Sequence, residues 1–222
     1  MKKLFSQNIF FFSGCILFFI AGGVLFSQIQ VSDELFYFSE RRTDFLDVFF
    51  TYTTKLGEEI LYAIIFIFLL FKKVRFAILI PLIGLVVTIV SFITKWFFGH
   101  DRPIVFLEKN GLLDQIDFIE GVYVHTGQNS FPSGHTMSAF ALYGFLAFII
   151  SGKRFWGLAL FLVALLVGIS RIYLVQHFLK DIYLGALFGV LIAIGFYFLQ
   201  EKINRDKNHW LNQPIWERKK VA

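Results

Sequence analysis

The chain has 222 residues, of which 57% are hydrophobic and 31 are Phe. These figures exclude an ordinary soluble domain, which is closer to half apolar and buries most of its aromatic side chains. The formal net charge is +5, but the basic residues lie in short segments between apolar runs, which is typical of a membrane protein and not of a nucleic-acid-binding one. A single cysteine, Cys15, excludes a disulfide within these residues.

Six apolar stretches are predicted to be transmembrane helices, since a spanning helix needs about 20 mostly apolar residues. They lie at about 8–27, 58–72, 75–98, 135–151, 154–170 and 181–200. The second and fourth stretches are short and must extend into their flanks or tilt. The first stretch is long for the apolar part of a signal peptide, so we interpret it as an uncleaved span.

The segment from Asp33 to Lys55 mixes aromatic and charged residues, which predicts an amphipathic helix lying in the membrane interface. The predicted fold class is therefore all-α: a polytopic membrane protein with six transmembrane helices and an interfacial amphipathic helix between the first two. Residues 1–222 are expected to form a single domain. Its motif-bearing core covers about 55–200, and 201–222 form a charged, solvated cytoplasmic tail.

The charges of the connecting segments predict an orientation. Most Lys and Arg residues lie at the N-terminus, after the second and fourth spans, and in the tail, whereas most acidic residues lie in the alternate segments. Because Lys and Arg are retained on the cytoplasmic side, we expect a multi-pass protein of the inner (plasma) membrane with both termini cytoplasmic. The segments after the third and fifth spans then face the periplasm or exterior together. An odd number of spans would break this alternation.

Three clusters of ionisable residues fall on that outer side. They are Lys95 to Pro103, Phe131 to His135, and Ser170 to Asp181. In the third cluster, His177 and Asp181 are four residues apart and would share one face of a helix. A carboxylate beside one imidazole nitrogen fixes the tautomer and leaves the other nitrogen free to attack. The alternative is an ordinary pair on a helix surface.

The second cluster reads Pro132-Ser133-Gly134-His135 and precedes an apolar stretch. Ser suits a helix start, Gly lets the backbone approach a ligand, and a helix start offers free N–H groups to a phosphate. His135 can protonate a leaving oxygen from this position. The alternative is a plain helix cap with a hydrogen-bonded histidine.

Cations accompany both histidines. Lys95 and Arg102 are seven residues apart, and Arg171 lies between the last two spans, so that the three can clamp phosphate oxygens. The alternative is that each extends from a helix end to the interface. His100 and His125 are interpreted as ordinary loop residues. We find no Asp/Glu cluster suited to catalytic Mg²⁺, so no metal and no cofactor are predicted.

Taken in order, Lys-x6-Arg-Pro, Pro-Ser-Gly-His and Ser-Arg-x5-His-x3-Asp resemble the three signature motifs of the type-2 phosphatidic acid phosphatase superfamily of membrane lipid phosphate phosphatases. The resemblance implies a six-helix transmembrane core and metal-independent phosphoryl transfer. It makes His177 the nucleophile, Asp181 its orienting partner and His135 the general acid. By the same resemblance the phosphate-binding residues are Lys95, Arg102, Ser133, Gly134 and Arg171. Water then hydrolyses a phosphohistidine intermediate.

The partners implied are the bilayer and a membrane lipid phosphate: undecaprenyl diphosphate, phosphatidylglycerol phosphate, phosphatidic acid or lipid A phosphate. Other functions stay open. A phosphotransferase would pass the phosphoryl group from His177 to a second lipid or sugar, and a transporter or scaffold would have lost catalysis. Vanadium haloperoxidases share the motifs but are generally soluble. No nucleic acid partner is expected, and the sequence predicts no oligomeric state.

Overall fold

The computed structural model describes residues 2–150, 154–203 and 210–217, and no strand occurs among them. The described residues form ten α-helices joined by loops and short 3₁₀ turns. The helices are α1 (Lys2–Gln7), α2 (Ile9–Gln28), α3 (Asp33–Ser39), α4 (Asp44–Thr53), α5 (Glu59–Leu70), α6 (Val74–Phe98), α7 (Pro103–Lys109), α8 (Gly134–Ile149), α9 (Arg154–Tyr173) and α10 (Leu179–Ile203). The all-α prediction is confirmed.

Four stretches of the described chain are long and apolar enough to cross a membrane. They are Ile9–Gln28, the stretch Val74–Lys109 that begins with α6, Phe155–Tyr173 and Leu179–Ile203. Two further apolar helices, α5 and α8, have 12 and 16 residues, which is less than the usual spanning length. Each of the six predicted spans therefore corresponds to a helix, but the number that cross a membrane stays a prediction.

Helix α8 lies at the centre of the fold and is buried along most of its length. It packs against α6, α9 and most extensively α10. Two glycines of α10 permit this close approach, because a Cβ atom at Gly185 would lie 2.7 Å from the Ser133 carbonyl oxygen and one at Gly189 2.6 Å from that of Met137. As a result, the starts of α8 and α10 lie against each other.

The segment between the first two predicted spans forms two helices, so the prediction of a single helix was wrong. The break falls at residues 40–43. Thr43 is extended, and its hydroxyl accepts a hydrogen bond from Leu46 N at 3.3 Å, which starts α4 as a separate helix. The guanidinium of Arg42 donates to the Tyr173 carbonyl oxygen at 2.9 Å and so ties the break to the end of α9. An interfacial position of α3 and α4 stays a prediction.

Part of the predicted tail is folded back onto the helices. Val74 N, at the start of α6, donates to the Gln213 carbonyl oxygen at 3.2 Å, and the rings of Phe71 and Trp216 lie 5.4 Å apart. Residues 210–217 therefore contact the helices without being buried, and a solvated, cytoplasmic tail stays a prediction. Residues 204–209 and 218–222 of that prediction lie outside the described residues.

Candidate active site

The three clusters of ionisable residues meet at one end of the helical core. Helices α6 and α9 end there, and α8 and α10 begin there. A cavity of about 1040 Å³ opens beside α6, α8 and the end of α9, and the predicted site residues on its walls are Lys95, Gly134, His135 and Arg171. The other four are at most 6% exposed and do not line it: Arg102, Ser133, His177 and Asp181. All eight predicted residues thus belong to one region, arranged as a wall and a buried layer behind it.

His177 and Asp181 form a pair across the start of α10. His177 precedes the helix by two residues, and Asp181 lies in its first turn, so the two do not share a helix face as their spacing suggested. His177 Nδ1 lies 3.1 Å from Asp181 Oδ2. The same oxygen accepts from Phe178 N at 2.9 Å, so the carboxylate also satisfies an N–H group that a helix start leaves free.

The Asp181 pair fixes the tautomer of the His177 ring. An ionised carboxylate only accepts hydrogen bonds, so Nδ1 carries the hydrogen and Nε2 keeps its lone pair. Burial lowers the pKa of His177 to about 3, Asp181 opposes this effect, and the cations Arg102 and Arg171 add to it. His177 is therefore neutral at physiological pH, as a nitrogen nucleophile must be.

Arg102 faces the free nitrogen of His177. Its Nη1 lies 3.2 Å from His177 Nε2 and 3.0 Å from the Gln176 carbonyl oxygen, while its Nε donates to Asn129 Oδ1 at 2.8 Å. A guanidinium has five donors and no acceptor, so Nε2 is the acceptor in this contact. A cation therefore lies beside the position that a phosphoryl group would take in an attack by Nε2.

The start of α8 contributes a cap and the second histidine. The Ser133 hydroxyl accepts from Thr136 N at 3.4 Å and from the Thr136 hydroxyl at 2.9 Å, and Ser133 N donates to the Asp181 carbonyl oxygen at 2.9 Å. His135 is the second residue of α8, and its side chain is 32% exposed. Its Nε2 lies 3.9 Å from Glu58 Oε1, so both a histidine and a carboxylate line the cavity.

Lys95 and Arg171 extend toward the cavity from two different helices. Lys95 lies in the last turn of α6, and a Cβ atom at Gly134 would be 3.9 Å from Lys95 Nζ, so this ammonium faces the start of α8. Arg171 lies in the last turn of α9 and not between helices as predicted, because α9 continues to Tyr173. Its Nη1 donates to Thr54 Oγ1 at 2.7 Å, which fixes one edge of the guanidinium.

Residues 75–205, which contain all three clusters, match the sequence profile of the PAP2 superfamily. The chain belongs to this superfamily. The match covers more than half of the chain, and it confirms the resemblance that the three motifs predicted. The roles of the individual residues and the absence of a metal in the reaction stay predictions.

Relatives of known name or structure support this membership. Over 143 residues the chain is 33% identical to phosphatidylglycerophosphatase B of Bacillus subtilis (strain 168), covering 57% of this chain and 70% of the relative. The crystal structure of LpxE from Aquifex aeolicus matches with a TM-score of 0.61 at 28% identity, over 74% of this chain and 92% of that one. The structure of the first transmembrane PAP2 type phosphatidylglycerolphosphate phosphatase from Bacillus subtilis shares the fold, with a TM-score of 0.63 at 24% identity over 93% and 100% of the two chains. Six further curated relatives are matched over less than half of their own length.

Two polar residues that contact predicted site residues of this PAP2 protein were not predicted from the sequence. Ser130 donates its hydroxyl hydrogen to Asp181 Oδ2, and Thr54 accepts from Arg171. Ser130 lies three residues before Ser133, so its place beside a motif was a usable signal. Thr54 carries no comparable signal, because it reaches the site through a contact between residues 117 positions apart.

His125, interpreted as an ordinary loop residue, does lie in a loop, but one that borders the cavity. It lines the cavity, and burial together with the cations Arg102, Arg171 and Lys95 lowers its pKa. Gln176 ties the loop of His125 to the segment of His177, since the Gln176 side chain donates to the Tyr123 carbonyl oxygen at 2.7 Å. His100, in contrast, is not among the residues lining this cavity.

Proposed function

We propose that this chain is an integral-membrane, metal-independent phosphatase that hydrolyses a lipid phosphate or diphosphate through a phosphohistidine intermediate. The observation that carries the proposal is the state of His177. Its Nδ1 is paired with Asp181, and the lone pair of its Nε2 accepts from the Arg102 guanidinium, a contact that a bound phosphoryl group would replace. A neutral, oriented imidazole next to a cation is the arrangement that nucleophilic attack on phosphorus requires.

The proposed reaction has two steps. His177 Nε2 attacks phosphorus and forms a P–N bond, while the P–O bond to the lipid breaks and His135, which is protonated once the anionic phosphate is bound, gives its proton to the departing oxygen. Water, deprotonated by His135, then attacks the same phosphorus, and the P–N bond breaks to return neutral His177 and phosphate. Asp181 holds the Nδ1 hydrogen throughout and stabilises the positive charge that the ring acquires on attack.

The phosphate is held by Lys95, Arg102, Arg171, the Ser133 hydroxyl and the Gly134 N–H. Three cations around one phosphoryl group offset its charge and the further charge that develops during transfer. Because Arg102 contacts Nε2, its guanidinium must shift toward a phosphoryl oxygen when the substrate binds. The same residue then guides phosphorus to the nucleophile.

We also propose that all six apolar helices lie in the plasma membrane. Helix α8 is about 24 Å long, short of the roughly 30 Å hydrocarbon layer, but its burial among other helices removes the need to match lipid. Exposed Phe45, Val48 and Tyr52 give α4 an apolar surface suited to the interface. The charge distribution supports cytoplasmic termini and an active site on the periplasmic or external side.

The site and the relatives together support a substrate class. The Bacillus subtilis relative is named a phosphatidylglycerophosphatase, which supports a phospholipid phosphate. The candidates are phosphatidylglycerol phosphate, phosphatidic acid, undecaprenyl diphosphate and lipid A phosphate. An outward-facing site suits a lipid of the cell envelope.

The test is phosphate release by purified protein in detergent from a panel of these four lipids. We expect release from at least one lipid and its loss in His177→Ala, with His100→Ala as the matched histidine control outside the main cavity. Release by His177→Ala at the wild-type rate would refute the proposal. The same assay with an added acceptor lipid separates hydrolysis from phosphoryl transfer, since a transferase would label the acceptor in place of releasing phosphate.

A further inference from the structure

Ser130 is a buried polar residue that the reaction described above does not use. Its side chain is fully buried, and its backbone N donates to the His100 carbonyl oxygen at 3.1 Å, which fixes the chain on the approach to α8. The Ser130 hydroxyl donates to Asp181 Oδ2 at 2.5 Å. It also lies 3.4 Å from His177 Nδ1, so it contacts both members of the pair.

Three donors converge on one oxygen of Asp181. Oδ2 accepts from the Ser130 hydroxyl, from His177 Nδ1 and from Phe178 N. Within the part of the chain that the structure describes, no group donates to Oδ1, although this oxygen is buried. The orientation of the carboxylate therefore depends on the donors that surround Oδ2.

Ser130 differs from the other two donors in its origin. His177 and Phe178 belong to the same five-residue stretch as Asp181 and move with it. Ser130 comes from a segment 51 positions away, the one that leads into the Ser133 cap and His135. Its hydrogen bond thus ties the Asp181 side chain to the opposite half of the site.

We propose that Ser130 is a positioning residue for phosphoryl transfer, whose hydroxyl fixes the Asp181 carboxylate so that His177 Nε2 points at phosphorus. This inference rests on the proposed function, because it assigns Ser130 a part in the attack by His177. A hydroxyl that donates to a carboxylate also offsets part of its negative charge. The imidazole N–H then interacts with a weaker charge.

Loss of the hydroxyl has two consequences. The carboxylate rotates more freely, so the imidazole is aimed less well and kcat falls, whereas the cations that bind phosphate are untouched and KM is retained. The carboxylate also interacts more strongly with the ring, which makes His177 easier to protonate. The other charged or titratable groups that face His177 are Arg102, Arg171 and His135, and the substitution leaves all three in place.

The experiment compares Ser130→Ala with wild type, using phosphatidic acid in detergent micelles or the panel lipid that is hydrolysed fastest. We expect kcat to fall about tenfold, the size expected for one hydrogen bond to a charged group, with KM within about twofold. The acidic limb of the plot of kcat against pH, where kcat falls as His177 is protonated, is expected at higher pH in Ser130→Ala than in wild type. The matched control is Ser39→Ala, which removes a buried hydroxyl that accepts from Asp117 N away from the cavity, and it leaves kcat and the limb unchanged.

A double-mutant cycle with Asp181→Asn tests whether Ser130 acts through the carboxylate. We expect Ser130→Ala to cost little further activity in the Asp181→Asn background. An equal loss in both backgrounds, an unshifted acidic limb or a wild-type kcat would overturn the inference. His177→Ala is assayed beside these variants: if it stays active, the proposed function itself fails, and if it is inactive while Ser130→Ala behaves like wild type, only the role of Ser130 fails.

Discussion

His177 and His135 lie at the starts of two neighbouring helices, but their surroundings differ. The His177 side chain is 2% exposed, and both ring nitrogens have hydrogen-bonding partners, Asp181 and Arg102. The His135 side chain is 32% exposed, and Glu58 lies at 3.9 Å, beyond hydrogen-bonding distance. The helix starts themselves are joined, because Ser133 N donates to the Asp181 carbonyl oxygen.

This difference matches two different chemical tasks. A nucleophile gains from a fixed direction, since attack on phosphorus must be in line. A general acid must reach an oxygen whose position depends on the lipid that is bound, so it gains from freedom and from contact with water. The surroundings therefore support a division of roles, with His177 as nucleophile and His135 as acid.

The largest expected effect is that of Asp181→Asn. An amide in place of the carboxylate favours the wrong tautomer of His177, and we expect kcat to fall about 10³-fold to 10⁴-fold, as in hydrolases that use a similar pair. Glu58→Gln, the corresponding change beside His135, is expected to alter kcat less than about threefold, because partly exposed pairs contribute little. Steady-state kinetics with one lipid phosphate measure both, and similar losses in the two variants would contradict the division.

The next effect separates the histidines by the leaving group. We expect His135→Gln to lower kcat about 10²-fold or more with a lipid phosphate, whose alkoxide needs a proton to depart. With 4-nitrophenyl phosphate the loss shrinks, because the phenolate leaves without a proton. His177→Ala stays inactive with both substrates, since no P–N bond forms. A His135→Gln variant equally impaired with both would show that His135 is not the acid.

The sequence predicted the helical elements well because apolar runs report burial in lipid or protein directly. Each of the six predicted spans matches a helix within three residues at either end, and the largest differences are the ends of α9 and α10, which continue to Tyr173 and Ile203. The difference at α9 places Arg171 on a helix. The break between α3 and α4 was missed because Thr43 in a mixed segment is a weak signal until its bond to Leu46 N is seen.

The site was predictable where its residues lie within motifs and unpredictable where they meet through tertiary contacts. The spacing of His177 and Asp181 predicted their pairing, although the pair lies across the start of α10 and not along one helix face. Thr54 and His125 reach the cavity from distant segments, so no local pattern identifies them. Their positions depend on how α4, α9 and the loop near Tyr123 pack together.

A smaller effect is expected for Thr54→Val, which removes the acceptor of Arg171 Nη1 but keeps the side-chain shape. The Arg171 guanidinium is then less well oriented toward the phosphate in the cavity that His135 also lines. We therefore expect kcat/KM to fall about tenfold. The neighbouring Thr53→Val is the matched control, since the Thr53 hydroxyl donates only within its own helix, to the Phe49 carbonyl oxygen, and is equally buried. Equal kinetics of the two variants would mean that Thr54 does not orient Arg171.

The smallest expected effect concerns acid stability and rests on the burial of His177. The folded protein holds the pKa of His177 at about 3, below its ordinary 6.5, so the unfolded chain binds this proton more readily. The stability associated with neutral His177 is therefore complete above pH 6.5 and is lost progressively as the pH falls toward 3. We expect the melting temperature in detergent to drop by about 5 °C between pH 7 and pH 4.5 on this account. In His177→Gln the drop should be correspondingly smaller, whereas His100→Gln should keep it. An unchanged drop in His177→Gln would mean that His177 is already protonated, or is hydrated, in the folded protein.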